Sequence, residues 1–316
     1  MRVCSVTVDV DSLCSNFKGF GLKKGQYSYH EFERGIQTAL EFFTVYDVRA
    51  TFFFVARDLK VAKNAKLIPE VASRGHEIAS HSYSHPQGFR FMSVKHKEYE
   101  LKESKRFLEE LSGQEIIGFR APGWNISDDA LPVLRSTGYR YDSSVFPTSI
   151  AGILKALHYW SMRKRDKLTR TTMGHLYYVL SPSSPYHTSK SRIGIRGDSH
   201  FIEFPVQVAG FFRLPFFATF HLSKPGLIGS GYDAIKENEI INYQMHLSDF
   251  VDYSDNAFNG ELPKESGSYI PLSLKMNLSE KMRIWGRVFD LISPDYRFET
   301  LQFCCENLVS QESQGL

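Results

Sequence analysis

The segment Val3-Cys4-Ser5-Val6-Thr7-Val8-Asp9-Val10-Asp11 alternates side chains residue by residue. Strand geometry puts Val6, Val8 and Val10 on one face and Thr7, Asp9 and Asp11 on the other. Two carboxylates therefore end one strand side by side, although acids are poor strand formers and adjacent like charges repel. A bound cation would compensate them. The rest of the chain has to be read around a strand that carries this charge at its C-terminal end.

Downstream, helical and strand-like patterns alternate. Tyr29 to Tyr46 has a helical apolar rhythm, and Ala50 to Val55 is a strand. Lys66 to Arg74 reads as a short helix stopped by Gly75, and Glu77 to Ala79 as the next strand. Val94 to Leu111 is an amphipathic helix, Ile116 to Phe119 a strand, Asp128 to Ser136 a helix and Tyr139 to Ser144 a strand. Phe201 to Val208 and Ile240 to Met245 are predicted strands, 232–239 and 275–292 predicted helices, and 296–308 closes the domain. Short connections between alternating elements predict parallel strands with crossover helices. The loop from Ser12 to Ser28, rich in Gly and Lys, is long enough for a functional rim.

From Phe146 to His200 the regularity fails, and this stretch is expected to be an insertion in a single domain spanning 1–316. With 42% hydrophobic residues the chain can fill a large core. The net charge of +3 is unevenly spread: residues 150–200 hold +7 and the remainder −4. A local anionic partner is expected for the insert, phosphate or a membrane surface, with residues 153–170 as the contact; a solvated loop, or a helix packed on the body, explains the same residues. General nucleic-acid binding is not expected, because the basic residues are confined and no nucleic-acid motif appears. Four cysteines at 4, 14, 304 and 305 lack C-x-x-C spacing, and Met1-Arg2 leads straight into a strand without an apolar leader. These features predict reduced thiols and a cytoplasmic protein, peripheral to the inner membrane face if the insert touches lipid.

Polar residues gather at the ends of the predicted strands, where barrel enzymes build their sites. His81-Ser82-Tyr83-Ser84-His85 places two imidazoles four apart; on a helical turn they would share a face able to hold a divalent metal. Alone, that spacing fits a pair of hydrogen-bonded surface or core histidines better than a metal site. With Asp9, Asp11, Arg120, Trp124, Asp142 and His246 the set becomes specific. Outside 146–200, the chain resembles the polysaccharide deacetylases, the NodB-like carbohydrate esterases of family 4. The resemblance rests on Thr7-Val8-Asp9-Val10-Asp11, His81-Ser82-Tyr83-Ser84-His85, Arg120-Ala121-Pro122-Gly123-Trp124 and Tyr141-Asp142-Ser143-Ser144, in the family's order.

This resemblance implies a distorted (β/α)7-type barrel, the NodB homology fold, and a metal triad of Asp11, His81 and His85. It implies Asp9 as catalytic base, Arg120 as the residue orienting it, Pro122 and Trp124 as groove wall, and Asp142 as the support of a late catalytic histidine. That histidine is His246 in Tyr243-Gln244-Met245-His246, with His221 in Phe220-His221-Leu222 as the rival. The family's commoner motif has adjacent aspartates; here Val10 separates them, and a strand keeps i and i+2 on one face. The implied ion is zinc, with cobalt, nickel or iron(II) as alternatives. The implied reaction removes an N-acetyl group from an amino sugar in an oligosaccharide, nucleotide-linked or lipid-linked precursor. A deformylase or other amidase, and a non-catalytic glycan-binding protein, are the alternatives. Oligomeric state is not legible.

Overall fold

The computed structural model describes residues 2–15, 29–161, 172–252 and 272–313. Most of the loop expected from Ser12 to Ser28, the basic end of the 153–170 segment and residues 253–271 lie outside these.

The opening strand β1 (Val3–Val10) is buried along its whole length, and its two faces look into different cores. Cys4, Val6, Val8 and Val10 point outward into a layer of helices, joining Phe32, Ile36 and Phe43 of the helix His30–Val45 and Trp285, Val288 and Phe289 of the helix Leu278–Ile292. Val3 points the other way, into a smaller inner cluster with Phe53, Tyr141, Phe204 and Leu301. Ser5, Thr7 and Asp9 share that inner face by alternation. The polar side of the strand is thus the inside of a curled sheet, which is why it is buried and still polar.

The main sheet runs through β10 (Ile240–His246), β1, β2 (Thr51–Phe54), β3 (Glu77–Ser80), β4 (Gly118–Phe119), β5 (Tyr141–Asp142) and β7 (Ile202–Glu203), all parallel. An antiparallel strand, β6 (Tyr186–His187), forms the far edge, and β11 (Arg297–Phe298) pairs with the start of β1. This is the NodB-type half-barrel that the resemblance implies. The gap between its edges is bridged by side chains: Asn242 Nδ2 of β10 donates to Phe204 O at 3.2 Å, Pro205 O at 3.0 Å and Ser143 Oγ at 3.0 Å. The bottom is plugged by the helix Leu301–Ser313, whose first amides donate to Thr51 Oγ1 and Glu77 Oε2. Fixing those otherwise unpaired amides anchors the helix in the barrel floor.

Three local expectations are corrected. Phe201 to Val208 is not one strand, because Pro205 cannot donate to a ladder. The chain leaves β7, and Val208–Ala209 (β8) instead forms a hairpin with Leu214–Pro215 (β9). The helix expected at 232–239 lies earlier, at Ile228–Asp233, where Gly229 and Gly231 hide it from a propensity reading. His81 and His85 do not share a helical turn. Ser82 and His85 both take positive φ, 67° and 56°, in an irregular loop after β3.

The insertion is partly regular. It contains the helix Ala151–Ser161 and a tight turn at Leu176–Leu180, and β6 joins the sheet. Thr172 Oγ1 and Met173 N both donate to Gly123 O at 2.9 Å, fastening the insertion over the β4 exit.

Candidate active site

Parallel register sets the site's floor. Ser5, Thr7 and Asp9 of β1 stand beside Asn242, Gln244 and His246 of β10. Both strands carry polar residues at every second position on the inner face, so a ladder of polar pairs rises to the C-terminal rim. There it meets the loop after β3, with His81 and His85, and the turn after β4, with Trp124. Together they border a cavity of about 340 Å³.

Asp9 is the centre of the hydrogen-bond network. Its Oδ1 accepts from Arg120 Nη1 at 2.7 Å and its Oδ2 from Gln244 Nε2 at 2.7 Å. Burial works to raise its pKa, but the Arg120 guanidinium, with His81 and His246 nearby, holds it below the ordinary aspartate value. Asp9 is therefore ionised. Arg120 is itself fully buried, donates to Thr7 Oγ1, Ser143 O and Ser143 Oγ, and lies 4.3 Å over the Phe53 ring. All three guanidinium nitrogens are engaged, through four hydrogen bonds, which holds the group in place.

His81 Nδ1 lies 2.8 Å from Arg120 O and donates to it, which leaves Nε2 with a free lone pair 4.0 Å from Asp9 Oδ2. Its ring centroid is 5.0 Å from that of His85. His85 Nε2 faces Asp11 Oδ2 at 3.8 Å, while its Nδ1 is buried without a hydrogen-bond partner. The loop is held from below, where Glu100 accepts from Ser84 N at 2.8 Å and Ser84 Oγ at 2.6 Å, and Ser82 Oγ accepts from His85 N. Burial lowers the pKa of both histidines, that of His85 far more, helped by His81. Burial, then the like charge of Asp9, pushes Asp11 well above its usual value.

Among the described residues, no three His, Cys, Asp or Glu side chains are gathered into a ready metal cage. The donor set nevertheless suits a divalent ion. Both imidazoles are neutral, one keeps Nε2 free, and the 3.8 Å gap from Asp11 to His85 exceeds a hydrogen bond yet matches two ligands each ~2.1 Å from a common centre.

Trp124 forms one wall. Its indole Nε1 donates to Gln244 Oε1 at 2.9 Å, and its ring packs 5.2 Å from Phe146 and 5.7 Å from Phe217. Reaching that place requires a left-handed turn: Gly123 has φ +58°, and a Cβ there would lie 2.3 Å from Gln87 Nε2. Pro122 is buried beneath this turn; Gly123 and Trp124, not Pro122, border the cavity.

His246 also borders the cavity, with Nε2 3.8 Å from Asp9 Oδ2 and its ring 6.2 Å from Trp124. The rival His221 does not. It is buried between Phe216 and Tyr243, its Nδ1 is 3.1 Å from Tyr243 Oη, and burial lowers its pKa to about 3. Asp142 does not support His246. Its carboxylate accepts from Ser144 N and Ser144 Oγ and meets Glu203, one of two buried acids that must share a proton. His246 instead has Thr219 Oγ1 3.5 Å from Nδ1, and its backbone N–H donates to Asp249. Gln244, Thr219 and Asp249 escaped the sequence reading. Gln244 was accessible to it, because Asn242, Gln244 and His246 repeat the i, i+2 pattern of Thr7, Asp9 and Asp11.

Residues 27–141 match the family profile described as polysaccharide deacetylase. That stretch, just over a third of the chain, is similar to the polysaccharide deacetylases. The chain is 28% identical over 146 residues to a peptidoglycan deacetylase of Helicobacter pylori, a stretch that is 44% of this chain and 47% of that protein. The chain thus spans about half the length of the curated relatives it matches. A structure from Mycobacterium smegmatis named as a polysaccharide deacetylase superposes with TM-score 0.61 at 18% identity, covering 98% of this chain and 92% of the other. Another so named, from Pseudomonas aeruginosa PAO1, gives TM-score 0.53 at 14% identity, covering 96% and 89%. Both share the fold.

Proposed function

We propose that this protein is a metal-dependent hydrolase that removes the N-acetyl group of an amino sugar in a glycan or glycan precursor. The observation that carries the reading is the ionised Asp9, clamped between Arg120 and Gln244 on a cavity floor that also presents His246, His81, His85 and Asp11. A glycan-binding surface has no use for a buried carboxylate held ionised at that cost in desolvation.

Asp11, His81 and His85 would hold the ion, which when bound supplies an activated water and a polarised carbonyl. Asp9 takes the proton of the attacking water at Oδ2, the oxygen that faces His81 and His246. Arg120 and Gln244 fix the carboxylate during that transfer, so no reorganisation precedes it. His246, across Asp9 at the cavity edge, hands a proton to the departing nitrogen, because an amine anion is a very poor leaving group. Water adds to the acyl carbon, the C–N bond breaks, and acetate and a free amine leave. Trp124, Phe146 and Phe217 offer the flat apolar wall on which a sugar ring stacks. The chain is then one catalytic domain, with the insertion as the roof of its cavity.

The test measures metal content and acetate release together, on N-acetylglucosamine oligomers and nucleotide-linked N-acetyl sugars, for wild type, His81→Ala and His85→Ala. About one zinc, cobalt, nickel or iron per chain, lost in the variants along with acetate release, is the expected result. A protein that takes up no metal on reconstitution and releases no acetate would overturn the reading. Formate in place of acetate would transfer it to a deformylase.

A further inference from the structure

Beside the cavity mouth, three separate segments form one exposed apolar face. On the helix Ala151–Ser161, Ile153, Leu157 and Trp160 make a stripe at i, i+4, i+7 that lies open to solvent, Trp160 with 66% of its surface exposed. Leu154 and His158, on the adjoining stripe, line the cavity. In the turn Leu176–Leu180 both end residues are exposed, Leu180 to 81%. At the tip of the β8–β9 hairpin stand Phe211, 95% exposed, and Phe212.

Hydrogen bonds tie the three together. Ser149 Oγ donates to Phe212 O, Lys155 Nζ to Gly174 O, and Arg213 Nη1 to Val179 O and Ser181 O. These large apolar side chains are therefore presented by a braced scaffold, and together they exceed the scattered exposure that is normal for a surface. Behind Phe211 and Phe212 lies a hollow of about 140 Å³ lined by Phe216, Phe220 and Leu227.

The charge of the same segments names the occupant. The described residues of these segments, 149–161, 172–180 and 206–224, contain Lys155, Arg213 and Lys224 and no Asp or Glu. Aromatic and aliphatic side chains among basic residues match an anionic lipid interface, where rings sit at headgroup depth and each cation gains attraction from the surface. A second copy of the chain fits worse, since an isologous contact would press two basic faces together.

We propose that this face docks on an anionic bilayer, setting the cavity mouth at the membrane surface to take an amino sugar carried on a membrane-embedded lipid. The docking stands on the surface alone; the substrate class rests on the deacetylase reading above.

The experiment is co-sedimentation of the full chain with vesicles of phosphatidylcholine alone or with about 30% phosphatidylglycerol, for wild type and the triple variant Trp160→Ser, Phe211→Ser, Phe212→Ser. None of these three residues borders the cavity. Expected are binding to the anionic vesicles only, weakening with salt, and a loss of roughly tenfold or more in the variant. Acetate release from a soluble oligomer should be unchanged in the variant. Binding is read without substrate, so an inactive protein that binds supports the docking and counts only against the activity. Absence of binding, or equal binding by the variant, would overturn the proposal. So would a concentration-dependent dimer in sedimentation velocity that the variant abolishes, which would make the face a contact between copies.

Discussion

Gln244 Nε2 lies 2.7 Å from Asp9 Oδ2, while Arg120 holds Oδ1 of the same carboxylate and Gln244 Oε1 accepts from the Trp124 indole. One amide thus couples the floor of the cavity to its wall. In Gln244→Met the carboxylate loses a donor and the indole an acceptor. Removing a hydrogen bond to the charged form raises a carboxylate pKa. The acid limb of the kcat/KM–pH profile should move to higher pH, with kcat reduced roughly tenfold or more. An acid limb left in place would show that Gln244 serves Trp124 alone.

Arg120 ties β1, β4 and the end of β5 through one guanidinium, and Asp9 is its only ionic partner among the described residues. Arg120→Met leaves a buried carboxylate uncompensated and should cost ~3–5 kcal/mol in urea unfolding at neutral pH. Because the fold depresses the Asp9 pKa, its contribution to stability is present above the unfolded value of ~3.9 and lost as pH falls through the folded one. The gap between wild type and variant should therefore narrow in acid. A gap independent of pH would assign the loss to packing.

The two candidate histidines differ in what surrounds them. His246→Ala should lower kcat by ~10²–10⁴-fold with little change in stability, since the side chain is partly exposed at the cavity. His221→Asn should unfold more easily, because it leaves a gap among Phe216, Phe220 and Tyr243, yet keep kcat per folded molecule. Kinetics normalised to the folded fraction separate the two.

Asp142 and Glu203 offer a test of a different kind. Burial raises Asp142 to about 6 and, with the Asp142 charge, pushes Glu203 well above its usual value. For a raised pKa the stability is fully present below the unfolded value, ~4, and lost as pH rises through the folded one. Stability of wild type should fall between about pH 4 and pH 6 and beyond from this pair. Glu203→Gln should flatten that decline, since an amide can donate to Asp142 without a proton. A slope unchanged in the variant would deny the shared proton.

Much of this architecture was legible because strands write their two faces into alternate residues. Val6, Val8 and Val10 against Thr7, Asp9 and Asp11 already described a strand with a polar inner side, and the motif spacing brought His81, His85 and Arg120 to the same rim. Pro205 breaks a segment whose alternation is otherwise that of a strand, and Gly229 and Gly231 disguise a real turn of helix. The exchange of Asp142 for Thr219 and Asp249 beside His246 was not legible at all.

The sequence by itself determined the alternation of strands and helices, the position of the acids at the end of β1, and the resemblance carried by the motifs, because these depend on local periodicity and on residue types at fixed spacing. The tertiary structure alone decided which side chains meet. Asp9 rests between Arg120 and Gln244 because β1, β4 and β10 converge from positions more than a hundred residues apart. Ile153, Leu180 and Phe211 form one face because three surface segments are hydrogen-bonded together. Contacts of that kind follow from parallel register and chain crossing, which no local pattern encodes.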